Sequence, residues 1–170
     1  YQFIVKGKRQ DIPEYKPEAN EMLYWNRTNV IQKPGMELVV PRYYVYEDVP
    51  LRTDMRGDSS RIAFDYILDA GRTPIHSYCD LSIGLRHMPV ADTTKYYIVQ
   101  KAGKWRSSMG GKYASGWIKT RVRSLGTFSV DVDTIAPQIT PIGQGGWRTS
   151  RNIRFRIKDM ESGIGSYKVY

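Results

Sequence analysis

The 170-residue chain has one cysteine and two histidines, and between Thr93 and Val130 it has no acidic residue at all. A single cysteine, Cys79, excludes an internal disulfide and any cysteine-rich metal site. Two histidines, His76 and His87, with no His-x-His pair, fall short of the three protein ligands a catalytic zinc ordinarily takes. There is no Gly-x-Ser-x-Gly elbow, no glycine-rich phosphate loop leading into a helix, and no Cys/His pairing that would suggest a nucleophile. No apolar run reaches the 18 or more residues needed to span a bilayer, and the opening YQFIVK lacks the basic start and long apolar centre of a signal peptide. The composition therefore points to neither an enzyme nor a helical membrane protein. Cytosolic and exported placements both stay open.

Aromatic residues and positive charge are abundant. Thirteen Tyr, four Trp and four Phe, set in short runs of β-branched and aromatic residues bounded by Gly and Pro, favour strands over helices. The expected class is all-β, an antiparallel β-sandwich. Expected strands are MELVV (36–40), YYVY (43–46), RIAFDYIL (61–68), KYYIVQ (95–100), GWIKTRVR (116–123) and TFSVDV (127–132), with Pro41 at an edge or bend because it cannot donate to a ladder. A weak helical turn is expected over 17–22. Strict alternation puts Phe128, Val130 and Val132 on one face, and Ile153, Phe155 and Ile157 opposite Arg154, Arg156 and Lys158.

The same alternation disposes of a tempting spacing in PIHSYCDLSIG (74–84). His76 and Asp80 stand four apart, as in one kind of zinc-peptidase site, yet Cys79, Leu81, Ile83 and Leu85 alternate with Tyr78, Asp80, Ser82 and Gly84. On an extended strand residues four apart are separated by ~13 Å, whereas ligands of one zinc lie within ~2.3 Å of it. No metal site and no cofactor are expected, and Cys79 is expected to be a small buried hydrophobe.

The net charge of +9 favours acidic partners. Lys95, Lys101, Lys104, Arg106, Lys112, Lys119, Arg121 and Arg123 fill the acid-free stretch. Trp117, Lys119, Arg121 and Arg123 fall on one strand face, opposite Ile118, Thr120 and Val122, and form a candidate surface for an anionic polymer. The plainer reading is a solvated strand face. Trp105, Tyr113 and Trp117 are candidate stacking residues for a glycan, although aromatic residues in strands are by default core. No helix-turn-helix, zinc-finger or RNP-type segment supports a nucleic-acid partner.

Residues 1–16 read as the last strand of a preceding domain plus a linker, 17–133 as a central sandwich, and 134–170 as the start of an immunoglobulin-like domain. In that last part DMESGIG (159–165) is expected to turn between strands 153–157 and 166–170. Its 36 residues after Thr134 are well short of the ~100 that such a domain takes.

Three stretches carry a resemblance. GGKYASGWIKTRVRSLGTFSVDVDTIAPQITPI (110–142), NIRFRIKDMESGIGSYKVY (152–170) and MELVVPRYYVYEDVPLRT (36–53) resemble the β-sandwich region that follows the catalytic domain in lysostaphin/LytM-like cell-envelope zinc endopeptidases of Gram-negative gut bacteria. The resemblance implies a non-catalytic accessory region that positions or anchors a peptidoglycan-hydrolysing enzyme. It places the chain in the periplasm or at the cell surface, with the remainder of a parent chain and cell-envelope polymer as partners. The family's zinc motifs have no match here, so no catalytic or metal-binding residue carries over. The alternative is a free-standing adhesion or glycan-binding module.

Overall fold

The computed structural model describes residues 18–58, 60–164 and 166–168. The expected terminal strand and linker, 1–16, lie outside the described residues. The fold is all-β and antiparallel throughout. Six strands form one sheet in the order β1 (Glu21–Leu23), β4 (Val49–Arg56), β5 (Asp65–Asp69), β11 (Gly126–Val132), β7 (Tyr96–Ala102), β8 (Trp105–Ser108). Five form a second in the order β2 (Asn29–Lys33), β3 (Met36–Val40), β6 (Cys79–Gly84), β10 (Trp117–Val122), β9 (Lys112–Ala114). The chain passes repeatedly from one sheet to the other, so both must close on one shared core.

That core follows from the period-two pattern. Met36, Leu38 and Val40 alternate inward on β3, and Cys79, Leu81 and Ile83 on β6, all at 1% exposure or less. They meet Leu51, Tyr66, Leu68, Ile98 and Phe128 of the larger sheet. Tyr66 also ties the two sheets together: its hydroxyl donates to the Pro34 carbonyl in the β2–β3 turn at 2.7 Å. Burial pushes that phenol up to about 12.

Passage from β8 to β9 depends on Gly110 and Gly111. Gly111 has φ +151°, and a Cβ there would lie 2.5 Å from the Ile118 side chain. A residue other than glycine must shift the β10 backbone or the core beneath it.

Strand β7 departs from alternation, because Tyr96, Tyr97, Ile98 and Val99 are all buried. Tyr96 and Ile98 face the shared core. Tyr97 and Val99 lie on the other side, beside Met160 and Glu161 of the C-terminal segment. That segment holds a two-stranded sheet, β12 (Gln138–Ile142) with β13 (Arg154–Lys158), and Met160 and Glu161 of its 159–163 turn line a hollow with Tyr97 and Val99 of β7 and Asp131 and Val132 of β11.

Several expectations are corrected. Residues 43–46 form no strand; they belong to the bend that carries the chain from β3 to β4 after Pro41. Residues 21–23 are strand β1, not a helical turn. The strand expected from 61 begins at Asp65. Strand β13 pairs with β12 through the longer 143–153 connection, and the described residues 166–168 of the expected second strand form none; residues 165, 169 and 170 of that expected hairpin lie outside the described residues. Strands β1, β2, β4, β8 and β9 carry too few apolar residues, or too many charges, for the pattern to single them out.

Candidate functional site

The sequence-predicted cations sit on the outer face of the five-stranded sheet. On β10 the buried residues are Ile118 and Val122, while Lys119 and Arg121 are exposed. Arg123 lies just past the end of the strand, also exposed, so the row of three is two strand residues and one turn residue. Trp117 begins the strand half-buried, its ring lying over Gly84 of β6, where an added methyl group would meet it at 3.6 Å. Glycine opposite an aromatic ring leaves the space that ring occupies.

Neighbouring strands complete the surface by register. Lys119 lies between Lys112 on β9 and Ser82 on β6, and Ser82 is followed by Glu37 on β3. Arg121 lies beside Asp80, then Val39. Lys112, Lys119 and Arg121 thus share a shallow, open trough with Glu37 and Asp80. The carboxylates come from residues far away in sequence, so an acid-free stretch of chain becomes a surface of mixed charge. The Arg121 guanidinium also lies 5.5 Å from the centre of the Tyr78 ring, within cation–π range.

The remaining cations divide. Lys101 pairs with Asp65 at 2.5 Å, and Arg106 with Asp131 at 3.0 Å, both on the six-stranded sheet. Asp65 is pulled two ways: burial raises its carboxyl, and the Lys101 ammonium with its hydrogen bond brings it net below the ordinary value. Half of the acid-free stretch therefore turns toward the other sheet, and two of its cations are neutralised there.

The candidate stacking residues are not brought together. Trp105, at 80% exposure, opens the edge strand β8, whereas Tyr113 and Trp117 belong to the other sheet. The expectation that strand aromatics are core fails at Trp105, since an edge strand has no neighbour to cover it.

His76 lies in a bend ahead of β6, not inside a strand, so strand spacing does not govern its relation to Asp80. Its surroundings are aromatic. The Tyr46 hydroxyl is 3.0 Å from its Nδ1, and the Tyr44 and Tyr46 rings stand edge-on to it at 6.4 and 6.0 Å. Among the described residues no group of three or more His, Cys, Asp or Glu is placed to hold a metal. Elemental analysis is expected to return no stoichiometric zinc; one tightly bound zinc per chain, lost in His76→Ala, would refute that.

A feature that sequence reading missed is the joint at Asp133. This buried carboxylate accepts from the Ser162 hydroxyl at 2.5 Å, the Ser162 N–H at 3.1 Å and the Ile135 N–H at 2.9 Å. Ser108 on β8 donates its hydroxyl to the Glu161 carbonyl nearby. Burial works to raise the Asp133 carboxyl, and the donated hydrogen bonds bring it below the ordinary value. Glu161 shifts the other way, through burial and then the Asp133 charge. The available signal lay in two short segments, DTIAP (133–137), inside the 110–142 stretch, and DMESGI (159–164), since each carries one side of this contact.

Two antiparallel sheets closed on one shared core, with a surface of mixed charge on the outer face of one of them, define a β-sandwich module. The Zu5-like domain family matches residues 20–133, about two thirds of the chain and the full run from β1 to β11. The chain belongs to the Zu5-like domain family. No curated protein and no solved structure matches it. Among the described residues no helix is long and apolar enough to cross a membrane.

Proposed function

We propose that the chain is a non-catalytic accessory region of a cell-envelope peptidoglycan-hydrolysing zinc metallopeptidase of the lysostaphin/LytM-like type, acting in the periplasm or at the cell surface to position or anchor the enzyme. The observation that carries the positioning role is the Asp133 joint. It fixes the C-terminal segment against the sandwich by three hydrogen bonds to one buried carboxylate, as a part that sets the relation of two neighbours requires. The resemblance of 36–53, 110–142 and 152–170 supports the choice of enzyme.

Anchoring falls to Lys112, Lys119, Arg121 and Arg123, with Trp117 at the end of the row. Exposed ionic contacts are individually weak and screened beyond ~8–10 Å at ordinary ionic strength, so affinity for an anionic envelope polymer must be collective. Binding of the chain to isolated sacculi and to lipopolysaccharide should fall steeply with salt. The loss should be larger in a Lys119→Glu/Arg121→Glu/Arg123→Glu variant than in Arg154→Glu/Arg156→Glu/Lys158→Glu, whose charges lie on β13. Equal loss reduces the effect to net charge, and no binding at low salt returns the surface to a solvated strand face.

A second reading, a free-standing glycan-binding module, is favoured by the exposure of Trp105. Turnover of muropeptides by this chain alone would overturn both.

A further inference from the structure

Two exposed rings lie at the foot of the β3–β4 connection. Trp25 is 44% and Tyr43 54% exposed, their ring centres are 5.7 Å apart, and their planes are tilted by 44°. Tyr43 has φ +66°, and of the described residues other than glycine only it and Ser115 have positive φ. Ser115 sits beside Gly116 in the tight β9–β10 turn, where that conformation closes the hairpin. Tyr43 occupies the third position of a turn closed by the Tyr44 N–H and the Pro41 carbonyl at 3.3 Å, the place where Gly or Asn is comfortable. A bulky aromatic residue there is strained, and the surroundings hold it.

The hold is specific to these two residues. The Tyr43 N–H donates to the Trp25 carbonyl at 2.7 Å, and the Trp25 N–H donates to Asp48 Oδ1 at 3.0 Å. The Arg42 guanidinium lies 5.5 Å from the centre of the Tyr43 ring. Backbone strain and two cross-loop hydrogen bonds thus hold two rings that are each about half exposed and lie outside the core cluster.

We infer that Trp25 and Tyr43 form a stacking platform for a neutral, β-linked polysaccharide strand. Each apolar face of a pyranose ring suits one aromatic face. The 5.7 Å separation of the ring centres lets two successive sugar units each lie against one ring. Arg42, Glu47 and Asp48, all exposed, supply donors and acceptors of both signs for ring hydroxyls with little net charge. A protein partner fits less well, since two rings of ~150–250 Å² each fall short of the ~800 Å² that one side of a standard interface covers.

The inference uses residues outside the Lys119/Arg121 trough and does not rest on its charge. The test is a titration of the chain with chitohexaose followed by tryptophan fluorescence, at low and at high salt. A saturable change insensitive to salt is expected. Tyr43→Asn, which suits the positive φ, should keep the melting temperature and weaken binding by about tenfold or more, as loss of one stacked ring implies. Trp25→Ala should weaken it similarly. Trp105→Ala and the Lys119/Arg121/Arg123 triple Glu variant should bind as the parent chain does, even if the latter has lost its hold on sacculi. Absence of hexasaccharide binding, unchanged affinity in a folded Tyr43→Asn, or loss confined to Trp105→Ala would each overturn the inference.

Discussion

Cys79→Asp should destabilise the fold by about 4 kcal/mol or more, because it places a carboxyl group with no partner in the centre of the sandwich. The Cys79 side chain is at 0% exposure, opposite Val122 on β10 and within the same cluster as Leu81 and Ile83. Its thiol is already pushed up to about 11, by burial first and then by the charge of Asp80, so it stays neutral. A carboxyl there must either remain protonated or draw in water, and both disrupt β6. Cys79→Ala, which removes only a small apolar volume, should cost about 1 kcal/mol. Thermal or urea unfolding distinguishes the two. Near-equal midpoints for Cys79→Asp and the parent chain would mean that β6 is out of register by one residue.

The second large effect is expected at the joint. Asp133→Ala removes one acceptor from three donors, two of them backbone N–H groups, and should loosen the C-terminal segment by about 2–3 kcal/mol, the range for hydrogen bonds to a charged group and for donors left unpaired. Ser162→Ala, which removes one donor, should cost about 1 kcal/mol. Hydrogen exchange at the Ile135 and Ser162 amides and proteolysis after Thr134 should speed up together in Asp133→Ala. Persistence of protection there would show that the hydrogen bond from Ser108 to the Glu161 carbonyl suffices.

The same joint should respond to acid. The folded-state carboxyl of Asp133 lies below its ordinary value, so its contribution is complete above the unfolded aspartate value and is lost as pH falls through the lowered native one. Glu161, raised in the folded state, acts in the opposite direction and gives up stability as pH rises through its own range. In Asp133→Ala the Glu161 titration should move back toward ordinary, since the neighbouring negative charge is gone.

Strand content was legible where one face is fully apolar. Residues 36–40 and 79–84 show alternation that only a half-buried strand sustains, and each lies in the structure as a strand with one face in the core. In 127–132 the strand is there, with Phe128 and Val130 buried as the alternation requires, but Ser129 on the opposite face is buried too, its hydroxyl donating to the Phe64 carbonyl. The edge strands β1, β8 and β9 were not legible, because an edge exposes most of its side chains and its pattern of burial is faint. Residues 43–46 mislead for a related reason: aromatic residues favour strands on average, but here Tyr43 and Tyr46 face solvent from a bend. Nothing in the sequence pairs Trp25 with Tyr43, since their contact depends on how two connections fold over the same end of the sandwich.

By itself the sequence determined the class: β-type runs, period-two burial, the buried character of Cys79 and the outward direction of Lys119 and Arg121, all of which depend on residues a few positions apart. Tertiary structure decided what those residues meet. The acid-free stretch from Thr93 to Val130 looked uniformly basic along the chain. Its strands were then divided between two sheets, so that Asp65 and Asp131 neutralise Lys101 and Arg106, and Glu37 and Asp80 come to lie beside Lys119 and Arg121. Sheet pairing joins residues across tens of positions, and the field at a surface depends on distance in space, so local charge could not foretell it.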